Sequence, residues 1–145
     1  MEIDLEPRKQ PPSSHLYSLS YNELEAIWEY IEEMLKAGKI RPSKSPASVP
    51  IFFVSKLHVR GLWIVVDYHG LNAITINNRY PLLLMSELMD HIGKVQWFTK
   101  LDLKNSFNLV RIASGHEWKT AFKTCYGAYE YMIILQGLTN APFVF

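Results

Sequence analysis

The chain has a single cysteine, Cys125, no long apolar run and almost no net charge. One thiol excludes an internal disulfide framework and suggests a reducing compartment, so an intracellular protein, cytoplasmic or nuclear, is expected. A membrane-spanning helix needs about 20 consecutive apolar residues, and no stretch approaches that. No basic-then-apolar leader opens the chain, and no Cys/His spacing suits zinc. Repeats are absent. What is present is ordinary globular material: 48% apolar and 20% charged residues over 145 positions. That is enough for one small domain with a real core.

The formal net charge of +1 hides an uneven distribution. Residues 1–35 carry eight Asp/Glu against Arg8 and Lys9, whereas from Lys36 onward thirteen Lys/Arg face six Asp/Glu. An acidic front therefore precedes a basic body, a weak sign of a polyanionic partner.

"EIDLEPRKQPPSSHLYSLS" has neither helical nor alternating period and reads as an extended arm over residues 1–19. Beyond it, Ser20 and Glu23 have capping-box spacing. Leu24, Ile27, Trp28, Ile31, Met34 and Leu35 then recur at helical intervals, with Glu25, Glu29, Glu32 and Glu33 as the solvated side. Gly38 is placed to end this helix, and Pro42 prevents its resumption. Two strands, Ile51–Lys56 and Leu62–Tyr68, are expected about a turn containing Gly61. A short helix at Leu84–Ile92 should turn Met85, Leu88, Met89 and Ile92 inward and stop at Gly93. "KTAFKTCYGAYEYMIIL" reads as a hairpin turning at Tyr126-Gly127. Asn140 is a candidate helix cap with Pro142 in the first turn. The sequence stops three residues later, so a truncated element is expected.

"WFTKLDLKNSFNLVRI" raises the functional question. Trp97–Leu103 reads as a strand in which Leu101 and Leu103 share one face and Asp102, with Lys100 and Lys104, the other. A solvated ion pair with a neighbouring lysine is the plainest explanation of that carboxylate.

Five stretches in order, "GKIRPSKSP", "VDYHGLNAITINNRYPL", "FTKLDLKNSFNLVRI", "EWKTAFKTCYGAYEY" and "QGLTNAP", resemble the reverse transcriptase of gypsy-type long-terminal-repeat retrotransposons. The resemblance runs from about Ile3 to Phe145. It implies an α+β fold, the fingers and incomplete palm of a right-hand polymerase, with residues 20–84 mostly fingers and 85–145 partial palm. It also implies nucleotidyl transfer with two Mg2+ ions, a template–primer of RNA or DNA, deoxynucleotides as substrates, the rest of a pol polyprotein as partner, and no membrane. Asp102 matches a catalytic metal ligand, consistent with the preference of magnesium for hard oxygen donors. The carbonyl of Leu103 would lie beside it. Phe107 matches the aromatic that excludes a ribose 2′-hydroxyl, although such a residue is otherwise usually core. Lys56 matches a lysine on the nucleotide phosphates. Gln136 and Gly137 match a turn that approaches the nucleotide closely. Asp67 receives no chemical role. Lys119, Lys123 and Arg111 are open to phosphate contact or to a plain basic surface.

Several positions depart from that family. Its remaining catalytic carboxylates come from a Tyr-x-Asp-Asp hairpin, and no Asp-Asp pair occurs in these 145 residues. Trp63 stands where the family pattern has a triphosphate-binding arginine, whose bidentate grip an indole cannot supply. Val59-Arg60 replaces an Asp-Gly turn, His69 an arginine, and Phe143 a small residue. The chain is therefore expected to be inactive alone. Its alternative is a nucleic-acid or protein-binding relic, with Trp63, Phe98, Tyr126 and Tyr129 facing a template–primer, or a remnant without function. The Asp102 strand would present an open edge, so low stability and aggregation are expected.

Overall fold

In the computed structural model, residues 1–55, 62–80, 85–93, 95–103 and 106–144 are described. Helix α1, Tyr21–Lys36, begins where the cap spacing places it. The backbone N–H and the hydroxyl of Ser20 both donate to Glu23 Oε2, at 2.8 and 2.7 Å. It ends on Gly38 at φ +66°, with Gly38 N–H donating to Leu35 O and Lys39 N–H to Met34 O. Those paired bonds form a Schellman stop, which needs a left-handed residue at that point. Ile27, Ile31 and Met34 are buried and the four glutamates exposed. Each buried aliphatic side chain contributes roughly 1.5–3 kcal/mol. Trp28 and Leu35, expected inward, are exposed instead. The buried stripe is narrower than the apolar one, and Trp28 meets the edge of Tyr126 at 4.9 Å.

A three-stranded antiparallel sheet lies under α1. Its order is β1 (Ile40–Pro42), β5 (Gly127–Tyr131), β4 (Phe122–Thr124). Strand β1 lay hidden in "KIRPSK"; it is short, and Pro42 is tolerated because β1 is an edge strand. The β4–β5 turn is Cys125–Tyr126, with Gly127 opening β5 at φ +138°, one residue earlier than the sequence suggested. Tyr129 and Tyr131 face the core beside Phe122, at centroid distances of 5.8 and 4.8 Å. Tyr129 is thus buried and offers no face to a ligand, contrary to expectation.

The opposite face of β5 carries a buried charge. Glu130 pairs in register with Arg41, accepts its Nε–H at 2.7 Å, and accepts the Ser43 hydroxyl at 2.5 Å. Glu117, in a 3-10 turn over Glu117–Thr120, is buried beside it. Burial pushes its carboxyl up, but its own N–H, that of Gly115, Arg41 and Arg111 outweigh this and hold it below the usual range.

The arm is extended, as read, and its Ile3 joins the core. Glu6 N–H donates to Ile74 O at 2.9 Å and Ile76 N–H to Asp4 O at 2.7 Å. Lys119 is correspondingly buried rather than part of a basic surface; its Nζ donates to Ile3 O at 2.5 Å. Desolvation lowers its pKa.

Strands β2 (Ile51–Ser55) and β3 (Leu62–Val66) pair antiparallel with Val54 opposite Trp63. The Gly61 turn and the strand end at Lys56 lie outside the described residues, as does Leu84. A one-turn helix α2, His69–Asn72, follows β3 and was not foreseen. Helix α3, Met85–Ile92, forms as expected, yet Leu88 and Met89 are exposed.

Trp97–Leu103 is not a strand. A strand needs a neighbouring ladder, and among the described residues no bridge joins this segment; Trp97 is 90% and Leu101 84% exposed. Pairing occurs further along, where Ile112 N–H donates to Met132 O and Ile134 N–H to Val110 O. Near the end, Ala141–Phe143 forms a single 3-10 turn with Pro142 inside it. Asn140 does not cap that turn: its amide donates to Ile76 O and its oxygen accepts Asn78 N–H, both at 2.9 Å.

Candidate functional site

One concavity lies between β3, α2 and the Gln136–Gly137 turn. It has a volume of about 530 Å³. Phe52, Trp63 and Val65 form one wall, Tyr30 and Tyr68 belong to its lining, and Asp67, Asn72, Gln136 and Gly137 supply polar groups. This mixture of apolar walls and a few convergent polar groups is the usual make-up of a ligand site.

Local chemistry positions each polar group. Asp67 follows β3 directly, and its Oδ1 accepts His69 N–H at 2.8 Å and the His69 ring Nδ1 at 2.6 Å. The backbone N–H and then the ring hold the Asp67 carboxyl below its ordinary range. Asn72, the last residue of α2, reaches across to the other wall: its amide donates to Gly137 O at 2.7 Å and its oxygen accepts Thr139 N–H at 3.0 Å. Gly137 has φ +104°. A Cβ there would meet Tyr68 Cδ2 only at 3.8 Å, so backbone conformation, not space, calls for glycine.

Beneath the cleft lie three phenols. The hydroxyls of Tyr30 and Tyr131 are hydrogen-bonded at 3.1 Å, and burial raises the pKa of both. Tyr68 is buried, its hydroxyl has no hydrogen-bond partner among the described residues, and burial pushes its pKa well above the usual value.

Of the residues singled out in the sequence, Gln136 and Gly137 line this cleft; Asp102, Leu103 and Phe107 are not among its described lining residues. Asp102 and Leu103 sit in the exposed 97–103 segment. Phe107 is in a 3-10 turn over Ser106–Leu109, half-buried against the core. Lys56 lies outside the described residues. Sequence reasoning missed Asn72 and Tyr68, although both stand in the quoted "VDYHGLN"; the Gly137 carbonyl that Asn72 holds is 65 residues away.

A magnesium pair requires several oxygen donors converging on one point. Among the described residues no group of three or more His, Cys, Asp or Glu is placed to hold a metal ion. Asp102 alone does not fit that requirement. No helix of the described residues is long and apolar enough to cross a membrane.

Comparison with known proteins agrees with this architecture. Residues 55–145 match the family described as "Reverse transcriptase (RNA-dependent DNA polymerase)". The chain is 38% identical to the retrovirus-related Pol polyprotein from transposon 297 of Drosophila melanogaster, over 92% of this chain and 13% of that protein. It is 39% identical to the transposon Tf2-3 polyprotein of Schizosaccharomyces pombe, over 87% of this chain and 9% of the relative. It therefore spans only about a tenth of those polyproteins. Among solved structures, the prototype foamy virus protease–reverse transcriptase superposes with a TM-score of 0.80 at 25% identity, covering 95% of this chain and 18% of that one. The foamy viral protease–reverse transcriptase in complex with double-stranded DNA superposes with a TM-score of 0.76 at 22% identity, over 99% of this chain and 28% of that chain. The fold is that of the fingers and partial palm of a right-hand polymerase, and the chain belongs to the reverse transcriptase family of retrotransposon pol polyproteins.

Proposed function

We propose that this chain is the template-handling part of an RNA-directed DNA polymerase, which binds a template–primer but does not extend it alone. The cleft between the β2–β3 hairpin and the Gln136–Gly137 turn carries this reading, because it brings two of the candidate nucleotide-contacting positions to one concave surface. Binding draws further support from the basic body of the chain and from the similar foamy viral enzyme in complex with double-stranded DNA. In this reading residues 20–84 form most of the fingers and 85–145 part of the palm. Lys56 and Gln136 contact a deoxynucleotide, Phe107 gates its sugar, and Asp102 with the Leu103 carbonyl is one corner of a magnesium centre. The other corners need carboxylates, and among the described residues none is grouped to hold a metal ion.

The test is a titration of a labelled RNA–DNA duplex with the purified chain at several salt concentrations. Release of counterions from phosphate predicts an affinity that falls linearly on a log–log plot of salt. No saturable binding at low salt would remove the reading.

A further inference from the structure

One imidazole receives the arm. Ile3 is buried between exposed neighbours, Glu2 and Asp4. Its N–H donates to His116 Nδ1 at 2.9 Å, and its carbonyl accepts the Lys119 amine at 2.5 Å. Lys119 Nζ also stands 3.1 Å from the same Nδ1. Two donors thus converge on one ring nitrogen, which can receive them only with a bare lone pair. These partners assign the ring proton to Nε2 of a neutral imidazole.

From this seat the arm pairs with a second segment. Ile76 N–H donates to Asp4 O at 2.7 Å, and Glu6 N–H to Ile74 O at 2.9 Å. The carbonyl of Ile76 in turn accepts the Asn140 amide at 2.9 Å. One residue therefore joins the arm to the chain that follows the Gln136–Gly137 turn.

The groups around His116 decide what a proton would do. Lys119, on its own turn, is buried, and burial lowers its pKa against the opposing pull of Asp4 on the arm. Glu117 is engaged by Arg41, Arg111 and the Gly115 N–H. The Met1 amino group donates to Arg111 O at 2.7 Å. A proton on Nδ1 would set an imidazolium against the Lys119 amine and turn the Ile3 N–H toward another donor. The ring could then donate only to Ile3 O, 3.0 Å away, in competition with Lys119. A satisfied acceptor would be exchanged for opposed donors and like charges.

We propose that His116 is a proton-operated latch for the arm: the neutral ring keeps Ile3 in its seat, and the imidazolium frees the arm from residues 74–76. The latch stands apart from the nucleic-acid reading. Histidine is the side chain that ordinarily changes charge between pH 5 and 8. Docking persists where the ring is neutral and is lost where it is protonated, because the docked arm excludes the proton that the freed one admits.

The experiment follows hydrogen exchange at the Glu6 and Ile76 amides of the whole chain from pH 8 to pH 5, corrected for the intrinsic effect of pH on exchange. In the parent chain, protection is expected to fall on the order of tenfold for each pH unit below the midpoint of the loss, while α1 amides stay protected. His116→Asn sets a non-titrating oxygen in the place of Nδ1, so protection should persist across the range. His116→Ala removes the acceptor and should already show the freed arm at the upper end of the range. Protection in α1 verifies that each variant is folded. Matching pH profiles in the parent chain and His116→Asn overturn the inference, since another group then titrates. Undiminished protection in His116→Ala overturns it too, since the arm then docks without the ring. A parallel loss in α1 of the parent chain also overturns it, because acid would then unfold the chain rather than free the arm.

Discussion

Asn72 holds Gly137 across the cleft: one side-chain amide donates to the glycine carbonyl at 2.7 Å and accepts the N–H of Thr139 at 3.0 Å. It thereby fixes the turn carrying Gln136. Replacing Asn72 by Ala leaves a carbonyl and an N–H to find water, and each lost hydrogen bond is worth about 0.5–1.5 kcal/mol. We expect Asn72→Ala to lower stability by about 1–3 kcal/mol in urea denaturation. An unchanged midpoint would show that the turn holds its shape without the amide.

At Gly137 itself the demand is conformational. A residue with a Cβ at φ +104° is strained even where space exists. Gly137→Ala should cost on the order of 1–2 kcal/mol, which a chemical melt would register; a neutral result would mean that the turn readjusts.

Tyr68 predicts the opposite sign from most core substitutions. Its hydroxyl is buried without a hydrogen-bond partner among the described residues, so removing it discards a desolvated polar group at almost constant shape. Tyr68→Phe should be neutral or stabilising by up to about 1 kcal/mol. A loss of more than that would reveal a partner for the hydroxyl.

Acid should loosen the Glu117–Arg41–Arg111 group. The Glu117 carboxyl is held below its ordinary value of 4.5 in the folded chain, so the folded state binds its proton less readily than the unfolded one. Its stabilising contribution is present above that value and is lost as the pH falls through the lower, folded pKa. Asp67 shifts in the same direction. Thermal melts between pH 7 and 3 should show Tm dropping below about pH 4.5, with a smaller drop in Glu117→Gln, which has already lost the charge. Equal pH profiles would remove Glu117 from the explanation.

Much of this architecture was legible because its signals are local. Helix α1 declares itself through the Ser20–Glu23 spacing, a 3.6-residue stripe and Gly38, all within one stretch of chain. The β2–β3 and β4–β5 hairpins likewise pair neighbours. What the sequence concealed was distant partnership. The alternation in Trp97–Leu103 matches a strand, yet alternation describes only which way side chains point, and a strand exists only beside another. Lys119 looked solvated by the rule that lysines are, but Ile3, 116 positions earlier, offers its carbonyl. Within the site, family motifs located Gln136 and Gly137; Asn72 acquires its purpose only when the two walls meet.

The central claim is that this chain handles nucleic acid without completing a polymerase centre. Its most direct test is primer extension on a primed RNA template with deoxynucleotides and Mg2+, at a protein concentration that saturates the duplex. The account predicts bound duplex and no lengthened primer. Magnesium-dependent extension that disappears in Asp102→Asn would contradict it, and would show that these residues assemble a working metal site.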